Sequence, residues 1–389
     1  MNHCKEDTKM ARSFTNLGFG SVLALLLAGT AAHAEKVDLS SEALTLIGGA
    51  VVEQHAGRDA LALGRAQEGA PFGFGAAVLN DVFLKDGTIE YDVIFGDTRT
   101  FAGLMFRAQG PDDAEEFYMR AHQSGNPDAT QYMPRYNGVP SWQLYYGPQF
   151  ATPITHTFDE WTHIKLEISD ARADIFIGDM SAPALAVDLI RDPAVGGLSL
   201  WGLNLGGEAW FSNIEVTPSE TLELAGTPVP PVEAGQGTVM SWSVSQAFDG
   251  ALLGGIKLPD DLPEASNVLS ADTNGIANLA RIQGVAEGAD TVLSEVTVTS
   301  ETAQMVAFKV GFSDDAKVYL NGDLLFAGSD RYTTRDYRFL GTVGLWYTVM
   351  LPLEAGENTL TVAVTEDVAD KTGWAVMGQF EDSEGLIWN

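Results

Sequence analysis

At 389 residues with 45% apolar side chains, the chain is long enough for two or three domains, each with its own core. Its formal charge of −31 repels phosphate backbones and anionic lipid, which argues against nucleic-acid binding and a peripheral membrane role. The one cysteine, Cys4, sits in a segment expected to be removed, so the mature chain is expected to lack disulfides, Cys-ligated zinc and a thiol nucleophile.

Lys5, Lys9 and Arg12 precede the apolar run SVLALLLAGTAA, which ends in Ala32-His33-Ala34. This is the pattern of a secretory signal peptide over 1–34, cleaved after Ala34, with Met10 as an alternative start. The run is short of the ~20 residues a membrane span needs. No later segment is apolar enough to cross a bilayer, so the protein is expected to be periplasmic or extracellular without a transmembrane segment. Loss of the leader makes the mature chain about one charge more negative, which suits a salty extracytoplasmic setting.

From residue 35, strand signals recur at close spacing: AAVLNDVFL, GTIEYDVIF, FAGLMFRA, EEFYMRAH, SWQLYYG, WTHIKLEIS, ADIFIGD, GGLSLWG and EAWFSNIEV. Gly, Pro, Asn and Asp separate them, as turn chemistry requires, and helical periodicity is almost absent. The pattern predicts an antiparallel β-sandwich over 35–217. A linker is expected at 218–238, where four of the 16 prolines make the chain extended and stiff. Strands return from 239 to 389, with one short helical turn expected around Asn274 to Arg281. In VYLNGDLLF, Asn321-Gly322 between two alternating runs is a strong hairpin signal. The fold class expected is all-β: two β-sandwich (jelly-roll) domains joined by a Pro-rich linker.

The blocks GTIEYDVIF, GLMFRA, EEFYMRAH, QYMPRYNG, SWQLYYG, FDEWTHIKLEIS and AWFSNIEV, in that order over about 38–217, resemble the concanavalin A-like (LamG-like) jelly rolls of the 3-keto-disaccharide hydrolase domain family. The resemblance implies a two-sheet fold whose concave sheet handles carbohydrate. SDDAKVYLNGDLLFAG and LPLEAGENTLTVAV make the second module similar to galactose-binding-like or protective-antigen-like β-sandwiches. That likeness implies an accessory role.

The densest group of large polar and aromatic side chains lies between Gly103 and Gly147. Alternation along EEFYMRAH puts Tyr118, Arg120 and His122 on one face and Phe117, Met119 and Ala121 on the core face. Arg107, on the preceding strand, is expected beside them. Rings stack on sugar C–H faces while Arg, Gln and Asn donate to hydroxyls, so this face has the chemistry of a carbohydrate site. The alternative is a solvated sheet face with incidental salt bridges. Gln131, Arg135 and Trp142 extend the candidate ligand site, with loop packing as their alternative role, whereas Trp201 reads as lining a sandwich edge or, more readily, as a core residue. Should the face catalyse, Tyr118 or His122 would act as base while Arg120 or Gln131 neutralised a uronate, as in a lyase.

Glu90 and Asp92 share a face, but Ile94 and Phe95 stand where a third acid would complete a glucanase-like strand. They read as outward-facing strand residues, not as the facing carboxylate pair of a glycosidase. His55, His122, His156 and His163 form no transition-metal motif. Structural calcium is the one cofactor the sequence accommodates, at Gly96-Asp97-Thr98, Pro111-Asp112-Asp113 or Ser313-Asp314-Asp315, although acidic loops also serve as plain solvated turns. Arg331, Arg335 and Arg338 with Tyr332 and Tyr337 form a basic, aromatic patch suited to an acidic sugar or to docking within the protein. No nucleophile elbow, phosphate loop or dinucleotide fingerprint is present. Three functions remain: a carbohydrate-recognising protein, a glycoside hydrolase or polysaccharide lyase, and a structural envelope or adhesion protein. Oligomeric state leaves no trace in the sequence.

Overall fold

A computed structural model describes residues 34–66, 72–96, 99–204, 207–332, 334 and 342–389. Residues 1–33 of the expected signal peptide lie outside this set, as do Asp97, Thr98, Arg335, Tyr337 and Arg338. The described chain is all-β, with 3-10 turns at Ala121–Gln123, Gly250–Leu253 and Leu279–Arg281 in place of α-helices. No helix among the described residues is long and apolar enough to cross a membrane.

The chain forms two compact units. The first takes described residues 34–135 and 145–230. Its leading strands are β1 (Glu35–Lys36), β2 (Leu44–Gly48), β3 (Val51–His55), β4 (Arg58–Leu63) and β5 (Gly73–Leu84). Then come β6 (Gly87–Phe95), β7 (Thr100–Ala108), β8 (Ala114–Arg120) and β9 (Thr130–Tyr136). After β10 (Val139–Pro140), which lies in the other unit, follow β11 (Ala151–Thr152), β12 (Thr162–Ser169), β13 (Arg172–Ile177), β14 (Leu185–Asp188), β15 (Gly196–Asn204) and β16 (Ala209–Pro218).

Two antiparallel sheets result. One runs β14-β13-β12-β6-β16-β4-β3 with β1 beside β16, and the other β9-β8-β7-β15-β5-β2 with β11 beside β9. Alternation sends Leu104 and Phe106 of β7, Phe117 and Met119 of β8, and Leu198 and Leu200 of β15 into one core. Ile89, Tyr91 and Val93 of β6 meet them there from the opposite sheet. The opposite faces of β7, β8 and β15 carry polar and aromatic side chains, among them Glu116, Tyr118 and Trp201.

The second unit takes Tyr136–Leu144 and Pro231–Asn389. One sheet joins β17 (Ser241–Val244), β18 (Asn267–Ser270), β20 (Thr291–Ser300), β22 (Asp315–Leu320), β23 (Asp323–Ser329), β25 (Gly356–Thr365) and β27 (Leu386–Trp388). The other joins β19 (Ala277–Asn278), β21 (Gln304–Ser313), β24 (Tyr347–Leu353) and β26 (Ala375–Phe380). Trp242, Phe308, Phe312, Trp374 and Phe380 anchor the core. Asn321 and Gly322 both have positive φ, 51° and 82°, the backbone a two-residue hairpin between β22 and β23 demands.

Two differences from the sequence reading stand out. SWQLYYG is a turn rather than a strand, with Leu144 N–H donating to the Ser141 carbonyl at 3.0 Å. The stretch 136–144 belongs to the second unit: Val139 enters its core, and the buried Gln143 donates to Thr372 Oγ1. These are contacts between residues far apart in sequence, which local patterning does not encode. In the Pro-rich segment, Gly226 is clasped by the first unit, its N–H donating to Asp174 Oδ2 and its carbonyl accepting from Arg172 Nη2 at 2.6 Å.

Candidate functional site

The outer face of the sheet containing β8 is built in rows. Trp201 of β15 pairs with Gly103 of β7, Gly103 with Tyr118 of β8, and Tyr118 with Gln131 of β9. In the next row Met105 pairs with Glu116, and Glu116 with Met133. Trp201 is the member half open to solvent, while Glu116, Tyr118, Arg120 and Gln131 are buried.

These side chains form a polar network. Tyr118 Oη donates to Gln131 Oε1 at 2.8 Å and accepts from Arg120 Nη2. The Arg120 guanidinium also donates to the Asp128 carbonyl at 2.8 Å and lies 3.6 Å from the Asp128 carboxylate. Gln131 donates to the Tyr145 carbonyl. Arg135 holds Glu116 Oε2 through Nε at 3.1 Å and Nη2 at 2.9 Å. The Trp201 and Tyr118 rings lie 6.0 Å apart, tilted by 37°.

Burial raises the Glu116 carboxyl above its ordinary range, partly opposed by Arg135 and by the Trp201 indole. That indole N–H approaches Glu116 closely enough to favour its charge, yet neither Trp201 Nε1 nor Glu116 Oε1 closes an aligned hydrogen bond. Asp128 Oδ1 is likewise buried without a partner. Burial also raises the Tyr118 phenol, so it stays protonated at neutral pH. A protonated tyrosine serves as a hydrogen-bonding group, not a general base.

The expected site residues therefore separate. Tyr118, Arg120 and Gln131 meet as alternation requires, and Arg135 joins through Glu116. His122 does not align with Tyr118 and Arg120, because β8 ends at Arg120 and His122 falls in the following 3-10 turn. There Nδ1 donates to the Thr100 carbonyl at 3.1 Å, the ring meets Phe101, and burial lowers its pKa. Arg107 sits at a bulge with φ of 50° and turns to Asp86 and the Lys85 and Asp170 carbonyls. Trp142 lies in the second unit, edge-on to Tyr332 at 5.9 Å. Trp201, read from sequence as core, and Glu116, not singled out there, also stand on this face.

On the other sheet, Asp92 is the hub of a separate cluster. Its carboxylate accepts from His163 Nδ1 at 2.8 Å, Asn213 Nδ2 at 2.7 Å and Arg58 Nη1. Burial acts to raise its pKa, but those hydrogen bonds prevail and hold it below the usual range. His55 stacks on Trp210 at 3.8 Å beside this cluster. Asp92 thus faces outward, tied into a mutual network.

Of the three loops expected for calcium, Gly96-Asp97-Thr98 falls largely outside the described residues, and carboxylates of the other two are engaged within the protein. Asp113 pairs with Arg191, Asp315 with Arg331, and Asp314 Oδ2 accepts from the Asp367 N–H. No group of three or more acidic or histidine side chains among the described residues is arranged around a metal position. Arg331, from the basic patch, bridges Asp315 and Asp367 of its own unit at 2.6 and 2.7 Å.

No family model and no curated protein matches the chain. Solved structures similar to about half of it include carbohydrate-binding module CBM66 from Bacillus subtilis, at 16% identity and a TM-score of 0.34 over 46% of this chain and 96% of that one. A Bacillus licheniformis β-glucanase matches at 10% identity and a TM-score of 0.35, over 50% and 100%. The exoplasmic/lumenal domain of VIP36, in its Ca2+/Man3GlcNAc-bound form, matches at 12% and 0.36, over 48% and 87%. The 3-keto-disaccharide hydrolase resemblance rests on sequence blocks alone.

Proposed function

We propose that this is an exported carbohydrate-recognising protein that holds a glycan on the outer face of the first unit's β8 sheet. The observation that carries the reading is the juxtaposition of Trp201, laid across Gly103, with the Tyr118–Gln131–Arg120 and Glu116–Arg135 groups. A half-open indole supplies a stacking surface for sugar C–H groups, and the neighbouring polar atoms supply hydroxyl recognition. Trp201 replaces Trp142 as the aromatic platform in this account. The proposed location, periplasmic or extracellular, rests on the leader pattern at 1–34. Calorimetric titration of the mature protein against a glycan panel tests the reading, and absence of binding to any glycan contradicts it.

A second reading, glycoside cleavage, is favoured by one observation: Glu116 is a buried carboxyl with a raised pKa on the same face. Such a group can donate a proton to a leaving oxygen. Incubation with 3-keto-glycosides tests it. Product release that disappears in Glu116→Gln supports cleavage, and no release from the wild-type protein rejects it for these substrates.

A further inference from the structure

Resting on the carbohydrate reading above, the solvent-open part of this face shows how a ligand extends from Trp201. The Trp201 ring covers β7 at Gly103, and Phe101, paired with Leu203 of β15, is the next outward residue of that strand. Two residues along a strand span about 7 Å. The two rings therefore stand in line along β7, and both are part open to solvent, as is Leu203. Beyond them the His122 ring meets Phe101 edge-on, with centroids 4.8 Å apart and planes at 64°. The exposed Arg99 guanidinium stands 5.8 Å over the Phe101 ring and makes no ion pair among the described residues.

The end of this stripe has hydrogen-bonding capacity to spare. His122 Nδ1 donates to the Thr100 carbonyl, which keeps the ring proton on Nδ1 and leaves Nε2 as an acceptor. Burial lowers the His122 pKa, so the ring is neutral and Nε2 retains its lone pair at neutral pH. Nε2 has no partner among the described residues, and solvent reaches it. Rings in line, ending in an acceptor and a cation, match a sugar chain: C–H faces lie on the rings while hydroxyls meet Nε2 and the guanidinium. A lipid surface or an apolar protein face would strip water from Arg99 and Nε2 and return no hydrogen bond. We infer that the site holds an oligosaccharide of at least two sugars along β7, one on Trp201 and the next on Phe101, with His122 Nε2 accepting from a hydroxyl of the second sugar and Arg99 donating to it. His122 thus reaches the ligand from beyond the end of β8, not from the row of Tyr118.

Calorimetric titration of the mature protein with neutral hexose oligosaccharides (cello-, laminari-, malto- and mannohexaose), and then with the monosaccharide of each series that binds, tests the inference. A hexaose is expected to bind at least tenfold more tightly than its monosaccharide. Phe101→Leu, which keeps apolar bulk but loses the ring, and His122→Phe, which keeps a ring but loses the acceptor, are each expected to weaken hexaose binding about tenfold. Arg99→Ala, at an exposed side chain, is expected to weaken it about fivefold and keeps the test decisive if the other two do not fold. Hexaose affinity unchanged in the folded variants but lost in Trp201→Ala would overturn the inference while leaving recognition at Trp201 intact. A monosaccharide binding as tightly as its hexaose would confine the site to one sugar and overturn the inference too. Binding of no hexaose would remove the carbohydrate reading, and this inference with it.

Discussion

Trp201 lies across Gly103 of the adjacent strand so closely that a Cβ on Gly103 would stand 2.5 Å from the indole Nε1. Glycine in a strand normally costs about 0.5–1 kcal/mol relative to alanine. Gly103→Ala would therefore stabilise the strand if the indole were free to lie elsewhere. The packing predicts the reverse: a loss of about 1–3 kcal/mol from overpacking, with the indole displaced. Thermal unfolding and intrinsic tryptophan fluorescence check this, and glycan affinity should fall in parallel.

Arg135 is the cation for a fully buried Glu116. Arg135→Met leaves that carboxyl uncompensated and is expected to cost about 3–5 kcal/mol in urea unfolding. The double variant Arg135→Met with Glu116→Gln should recover much of this, because no buried charge remains. Additive losses would show that the two groups do not act as a pair.

Glu115, the inward neighbour of Glu116, gives a pH dependence of definite sign. Burial raises its carboxyl to about 7 from 4.5, despite hydrogen bonds from Tyr132 Oη at 2.6 Å and the Arg191 N–H at 3.2 Å. The folded state then holds a proton that the unfolded chain has lost, so this group's contribution is present below pH 4.5 and is lost as pH rises towards 7. The loss is on the order of 3 kcal/mol. Glu115→Gln should flatten that fall in stability between pH 4.5 and 7, measured as the difference from wild type in urea titrations.

Asp92 titrates in the opposite sense. Its pKa is held below 3.8, so its contribution persists above that value and is lost as pH falls through the lower, folded one. Asp92→Asn weakens its hydrogen bonds with His163, Asn213 and Arg58 and is expected to cost about 1–2 kcal/mol. Glycan affinity should not change, because Asp92 lies on the other sheet. Binding lost in a folded Asp92→Asn protein would relocate the site.

Much of the fold was legible because strand alternation is local. GTIEYDVIF is β6 to the residue, and Phe117 and Met119 point into the core as the pattern requires. Trp201 escaped because a large ring among glycines reads more readily as core, yet the alternation of Leu198 and Leu200 already placed it on the outer face. Glu116 escaped because adjacent acids in a strand normally face water, whereas both Glu115 and Glu116 are buried against specific partners. Arg107 and His122 failed for a different reason: a bulge and a strand end each interrupt the period of two, and neither is marked by composition.

The most direct test of carbohydrate recognition at this face is calorimetric titration of wild-type protein and Trp201→Ala with the same neutral oligosaccharides, after confirming that both are folded. Removing a central aromatic contact should weaken binding about thirtyfold or more. Wild-type binding that survives unchanged in folded Trp201→Ala would contradict the assignment of the glycan to this face.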